Sequence, residues 1–420
     1  MVRGLSVLSD APAGHASDRL QFSRYVEPLT EVIMNDATQT PFTVGVFGAW
    51  GSGKSSLLEM IDQKLASEHD QEVVRVHFNP WIYRREPNIL IPLLHTLEDT
   101  LAEDGRSRFT ESARTIGALA AKLSAGVLLG RLSGGAVSLA DLNDLIAQYA
   151  KQRHETESEM SKLRETLQRQ ADTIHDKGAR LVFFIDDLDR CEPNEIIDLL
   201  ESVKLFLDLR HVFIIIAIAK DVVDRGVAFK YRDFAFTKDS EVLAVGDEYL
   251  DKMIQLPLYL LPIDSGAVGQ FMRGFDLPED VQAQIGLLQD IVSPNPRRIK
   301  RVLNTCAVTY AIIQRSPGLQ DLRLRLDLIA RLAVLRLQSP DLYAAIIRNP
   351  ELVAALEMTY RGEQRDSFAE AFGSERAESM MQAAAEFHGK QEYLEKVFSD
   401  STFAEVRNDL QRYLTMLSGT

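Results

Sequence analysis

Two cysteines, Cys191 and Cys306, are all the thiols that 420 residues offer. That scarcity excludes a disulfide framework and any thiolate cluster of zinc-binding spacing. Positive charge is also short: 61 acidic against 47 basic side chains leave a net charge of -14, the opposite of the broad cationic surface that non-specific nucleic-acid binding requires. Long apolar runs are missing as well. The best candidate, Ile116 to Ala140, is rich in Ala, Gly, Leu and Ser but is interrupted by Lys122 and Arg131, whereas a spanning helix needs roughly 20 consecutive apolar residues. It reads as a packed or partner-facing helical hairpin, with contact to a membrane surface as the alternative. No charged-then-apolar leader precedes the first periodic segment, so a cytoplasmic location is the expectation. What is present is ordinary globular material, 45% hydrophobic and 26% charged, long enough for two or three domains.

Against that background one segment stands out. Pro41 to Phe47 has the β-branched and aromatic character of a short buried strand, and Ser55 to Leu65 places Leu57, Leu58, Ile61 and Leu65 at helical spacing. Between them runs Gly48-Ala49-Trp50-Gly51-Ser52-Gly53-Lys54-Ser55. The glycines let successive N–H groups turn inward toward an anion at the positive end of the helix. Lys54 then reaches the outer phosphates and the Ser55 hydroxyl coordinates magnesium, the chemistry of a phosphate-binding loop. Candidate nucleotide-binding residues are Gly48, Trp50, Gly51, Ser52, Gly53, Lys54, Ser55 and Ser56. A bare Gly-rich turn is the alternative for any one of these glycines, but not for the full spacing between a strand and a helix.

Further along, Leu181 to Ile185 is an apolar run that ends in Asp186-Asp187-Leu188-Asp189-Arg190. A buried parallel strand delivers such carboxylates to its C-terminal end, where Asp186 can hold magnesium and Asp187 can orient or deprotonate water. The competing reading is a surface Asp cluster that caps the helix from Glu195 to Leu207, with Asp189 serving the turn. Val73 to Phe78, Val212 to Ile218 and Met253 to Leu260 read as further strands, so the pattern predicts an α/β fold with a parallel sheet. A helix is expected from Asp18 through Ile33. A long charge-mixed helix is expected from about Leu139 through Ile174, either a coiled-coil arm on Met160, Leu163, Leu167 and Ile174 or one member of a solvated antiparallel pair. Tyr231 to Gly246 reads as an irregular loop. The expected organisation is an N-terminal arm over 1–17, a nucleotide-binding core over 18–83 and 180–262, a helical insertion over 84–179, and a separate helical region over 263–345 with a helical tail over 346–420.

The phosphate loop, Phe78-Asn79-Pro80-Trp81 and Asp186-Asp187-Leu188-Asp189-Arg190 occur in this order, followed by Tyr249 to Pro257 and by Asn295-Pro296-Arg297-Arg298-Ile299-Lys300-Arg301 with Asn304. This combination resembles the KAP-family P-loop NTPases over roughly Asp18 to Ala345. The resemblance implies an additional-strand P-loop fold with a long helical insertion between the two phosphate-site motifs and a helical C-terminal lid and tail. It also implies ATP and Mg2+ as ligands, Lys54, Asp187, Arg297 and Arg298 as catalytic residues, and Ser55 and Asp186 as metal ligands. Arg297 or Arg298 is the residue expected to report on the γ-phosphate. The alternative for Arg297 to Arg301 is a solvated or nucleic-acid-facing basic helix surface. Members of that family include animal membrane scaffolds and bacterial proteins implicated in phage exclusion. This chain departs from the pattern in lacking an uninterrupted apolar span between the motifs, in closing Val212 to Ile218 with Ala219-Lys220 in place of an acid, and in carrying Pro80 inside the aromatic turn.

The leading expectation is a Mg-dependent ATPase that switches a separately encoded partner, in antiviral defence, as a homo-oligomer or effector complex in the cytoplasm. One alternative is a scaffold stabilised by bound nucleotide with negligible turnover. Another is a DNA-stimulated ATPase working through Arg297 to Arg301.

Overall fold

The computed structural model describes residues 7–86, 88–103, 107–132, 161–192, 195–197, 199–201, 209–230, 248, 250–261, 263–316 and 325–418. The chain divides into two compact units, one of Pro12–Leu261 and one of Met1–Ala11 with Pro262–Thr420.

In the first unit, five strands form a parallel sheet: β1 (Phe42–Phe47), β2 (Val73–Phe78), β3 (Arg180–Ile185), β4 (Val212–Ile218) and β5 (Leu256–Tyr259), in the order β2-β3-β4-β1-β5. The register sets Phe47 opposite Ile218 and Ile185 opposite Ile216, so β4 lies between the strand that feeds the glycine loop and the strand that feeds the aspartates. That intervening strand is the additional strand that the family resemblance implies. β4 is buried at every position, as its unbroken Val-Phe-Ile-Ile-Ile-Ala-Ile run requires of a central parallel strand.

Alternate side chains feed two cores. Val74, Val76, Phe78, Leu181, Phe183, Ile185, Ile214 and Ile216 enter one, packed against α3 (Leu90–Glu103), α4 (Thr110–Leu132) and the helical residues 161–176. Val44, Val46, Val182, Phe184, Phe213 and Ile215 enter the other, packed against α1 (Ser23–Met34) and α2 (Lys54–Glu68). Leu163, Leu167 and Ile174, the heptad-like residues, are buried in the first of these cores with Ala171. This part of the long helix is therefore neither a free coiled-coil arm nor a solvated pair. Its expected stretch from Leu139 to Met160, the residues 133–140 of the expected hairpin, and the loop Tyr231 to Gly246 lie outside the described residues. Lys122 and Arg131 fall in one helix, α4, and among the described residues no helix is long and apolar enough to cross a membrane.

The last strand is shorter than expected. Met253 and Ile254 donate their N–H groups to Leu250 O at 2.9 Å, so they belong to a helical turn, and pairing starts only at Leu256. A short apolar run does not by periodicity separate strand from buried helix end. Pro257, which has no N–H to donate, is tolerated because β5 is an edge strand.

The second unit is helical. α5 (Pro296–Arg315), α6 (Leu326–Gln338), α7 (Leu352–Tyr360) and α8 (Glu392–Phe398) frame its interior. α6 buries every residue from Leu328 to Leu335, including Arg331, whose guanidinium donates to the carbonyls of Lys396, Val397 and Asp400 and so caps the end of α8. Glu357 on α7 is fully buried. One of its oxygens pairs with Arg361 at 2.9 Å, and the other accepts from the Ser401 hydroxyl at 2.8 Å and from the N–H groups of Phe403 and Ala404.

Burial raises the Glu357 carboxyl above its ordinary range, against the lowering effect of these donors and of the Arg361 charge. The folded state thus holds the proton more tightly than the unfolded chain. The contribution of this carboxyl to stability is complete below the unfolded value and is lost as pH rises through the folded one. Glu357→Gln turns an amide NH2 toward a donor, and it is expected to cost about 1–2 kcal/mol. For a unit of this size that is a fall of about 3–6 °C in Tm. Thermal unfolding from acid to neutral pH checks both the drop and the loss of this pH dependence.

Candidate functional site

All five strands point the same way, so the loops after β1, β2 and β3 share one edge of the sheet. The ladder runs to that edge: Gly48 N donates to Ile218 O at 3.2 Å and Asp186 N to Phe78 O at 3.2 Å. With strands about 4.8 Å apart, the glycine loop and the aspartates begin about 10 Å from each other across β4.

The loop is built for close approach. Gly51 and Gly53 have φ of 82° and 107°, which a side chain would strain, and a Cβ on Gly53 would meet the Phe22 ring at 2.5 Å. A Cβ on Gly48 would meet Ser52 Oγ at 2.5 Å. Ser52 Oγ is buried with no hydrogen-bond partner, and Gly53 caps α2 without a side chain that could occupy the first N–H groups. These groups suit an incoming anion. Lys54, only 7% exposed, donates to Gly48 O at 3.0 Å and Ala49 O at 3.3 Å, and pairs with Asp189 Oδ2 at 3.5 Å. Trp50 is exposed, Ser55 begins α2 beside Lys54, and the Ser56 hydroxyl accepts the Ala13 N–H at 3.0 Å.

Across β4, Asp186 accepts the Asp187 N–H at 2.8 Å on Oδ1. Asp187 sits in the left-handed region, φ 59° and ψ 23°, where an Asp is tolerated more readily than a bulkier residue. Its two oxygens are both engaged: Oδ2 accepts from Asn79 Nδ2 at 2.8 Å and Oδ1 pairs with Arg190 Nε at 2.8 Å. The Arg190 guanidinium in turn lies 5.4 Å from the Trp81 ring, over which Arg84 also sits at 5.6 Å. Cys191 adjoins this cluster, and burial with the nearby Glu195, Asp189 and Asp187 pushes its thiol up to about 11, far from a reactive thiolate.

Asp189, Asn79 and Arg190 are the residues to which the sequence assigned no chemistry. Their signal is weak in one dimension: Asn79 meets Asp187 across 108 positions, and only the neighbouring ends of β2 and β3 join them.

The donor set fits a nucleotide with a hard cation. Ser55 and Asp186 offer oxygen ligands, and among the described residues no group of three or more His, Cys, Asp or Glu makes a protein-only metal cage. Oxygen ligands of the Ser55 and Asp186 kind are those that magnesium takes, together with substrate phosphate.

Arg297 and Arg298 belong to the second unit, at the start of α5, where Asn295 Oδ1 accepts the N–H groups of both residues. Arg297 pairs with Asp10 at 3.4 Å, and Arg298 lines a cavity of about 500 Å³ with Asp290, Tyr393 and Lys396.

Comparison with known proteins adds five findings. The model of the KAP family P-loop domain matches residues 22–313. The chain is similar to the phage T7 exclusion protein of Escherichia coli K12, 23% identical over 372 residues, covering 78% of this chain and 45% of that protein, so it spans less than half of that relative. It is also similar to an uncharacterized protein of Methanocaldococcus jannaschii, 25% identical over 167 residues, 33% of this chain and 86% of that one. Among solved structures, the Aeropyrum pernix Orc1 protein in complex with DNA overlaps 98% of this chain and 85% of its own at 11% identity and a TM-score of 0.35, and Drosophila ORC bound to DNA overlaps 92% and 86% at 12% identity and 0.29. Overlaps this loose carry no argument about DNA.

Proposed function

The chain belongs to the KAP family of P-loop NTPases, and from that premise we propose that it hydrolyses ATP with magnesium and uses the cycle to switch a partner protein. The observation that carries this reading is the 3.5 Å pairing of Lys54 with Asp189, which joins the glycine loop to the aspartates across β4. Lys54 turns from the loop carbonyls and Asp189 to the outer phosphates. Ser55 and Asp186 would hold magnesium, which would supply charge neutralisation on the phosphate oxygens. Asp187 orients the attacking water, and Asn79 and Arg190 fix its carboxylate for that task. Arg297 or Arg298 reads the γ-phosphate, because a planar guanidinium forks onto phosphate oxygens. We assign 263–345 to a lid and 346–420 to a tail for docking partners. The likeness to a phage T7 exclusion protein supports a place in antiviral defence, in the cytoplasm, as a homo-oligomer or with a separately encoded effector.

Steady-state hydrolysis of ATP and GTP, measured across protein concentration with and without magnesium and DNA, tests the reading. Magnesium-dependent ATP turnover is the expected result, and a rate per chain that rises with concentration adds an arginine supplied by a neighbouring copy. A second reading has its own observation. Both Asp187 oxygens are already paired, which suits a scaffold that holds ATP and turns it over negligibly. Tight ATP binding without multiple turnovers at any concentration would decide for that scaffold.

A further inference from the structure

Three consecutive residues of the N-terminal segment lie along one face of α5. Leu8 N donates to Asn304 Oδ1 at 2.7 Å while Asn304 Nδ2 donates to Leu8 O at 2.8 Å, a reciprocal pair that captures backbone irrespective of side chain. Lys300 Nζ donates to Ser9 O at 2.8 Å. Asp10 Oδ2 lies 3.4 Å from Arg297 Nε and 3.5 Å from an Arg301 nitrogen. Residues 297, 300, 301 and 304 recur at helical spacing, so the receiving face is continuous. It has the two parts of a peptide receptor: an asparagine that reads extended main chain, and a guanidinium pair that reads a carboxylate two residues later.

We propose that this face of α5 is a receptor for an extended acidic segment, that Leu8–Asp10 is its resident occupant, and that Asp10 thereby holds Arg297 away from phosphate. The proposal rests on the role given to Arg297 above. A carboxylate and a phosphate oxygen present the same chemistry to a guanidinium, so one excludes the other at a given N–H edge. The strap is built to let go. Asp10 is 38% exposed, with Arg301 at 48% and Arg297 at 22%, so the first pair contributes little and the second only modestly. Three residues held by such contacts are ordered only marginally against their chain entropy.

The test uses the full chain and four variants: Asp10→Asn, Asn304→Ala, Arg297→Ala and the double variant Asp10→Asn with Arg297→Ala. Amide exchange over residues 8–11 reads docking, and the ATP concentration for half-maximal turnover reads the arginine. Asp10→Asn and Asn304→Ala are expected to speed exchange about tenfold, since each removes roughly half of a set of weak contacts. Both are also expected to lower the half-maximal ATP concentration severalfold, a gain absent from the double variant. Unchanged exchange in Asn304→Ala, or a gain that survives Arg297→Ala, overturns the proposal. If Arg297→Ala impairs ATP use while Asp10→Asn behaves as the parent, the strap fails and the reading of Arg297 stands. If Arg297→Ala alone changes nothing, that reading fails and the withholding of Arg297 falls with it.

Discussion

Lys54→Ala is expected to lower ATP turnover about 10³-fold, the scale seen when one preorganised donor to developing charge is removed from an enzyme site. The same substitution should also destabilise the first unit, by about 2 kcal/mol, because it strands a carboxylate. Asp189 is only 10% exposed and faces the Lys54 ammonium at 3.5 Å. These two losses have different cures. Adding Asp189→Asn to Lys54→Ala removes the stranded charge and should restore most of the unfolding midpoint, but it cannot restore the donor that reaches phosphate. Denaturant unfolding and steady-state turnover of the single and double variants separate the two. Recovery of both together would mean that Lys54 acts through the integrity of the loop alone, and the phosphate role would be withdrawn.

The parts of this architecture that were legible in the sequence are those set by local pattern. Val73–Phe78 and Val212–Ile218 occupy the spans read from the chain, because a run of buried β-branched residues bounded by polar ones admits one conformation at that length. The glycine loop is local in the same sense, since its conformation follows from Gly51 and Gly53 at positive φ and from the helix that starts at Lys54. Two kinds of information were not local. Met253 and Ile254 are as apolar as the strand they precede, and their helical turn is set by hydrogen bonds to Leu250. The partners of the aspartates are set by strand order: Asn79 reaches Asp187 only because β2 lies beside β3, and Asp189 faces Lys54 across an intervening strand. The contacts of the N-terminal segment are more remote still. Leu8 and Asn304 are 296 positions apart, and a small polar terminus gives no periodicity from which to place it.

Asp187→Asn should reduce turnover by about 10³-fold while leaving ATP affinity within a factor of about three, the signature of a group that acts on water in the transition state and not on bound substrate. The choice of asparagine matters. Asp187 holds φ 59°, and Asn enters that region about as readily as Asp, so the backbone of the turn is kept. Alanine would add strain of about 1 kcal/mol and confuse a catalytic loss with a folding loss. Asn79→Ala offers the complementary measurement. It removes the 2.8 Å donor to Oδ2 but leaves the Arg190 pairing at Oδ1, so the carboxylate remains and only its aim is relaxed. A fall of about tenfold in turnover is expected, because a carboxylate held at one oxygen alone aligns the attacking water less tightly. If Asn79→Ala instead raises turnover, Asn79 restrains Asp187 in the paired geometry seen here, and the residue is a brake on hydrolysis in place of a guide. If neither variant alters a measurable rate, Asp187 is a structural member of the turn that Arg190 and Asn79 pin, and the water must be positioned elsewhere.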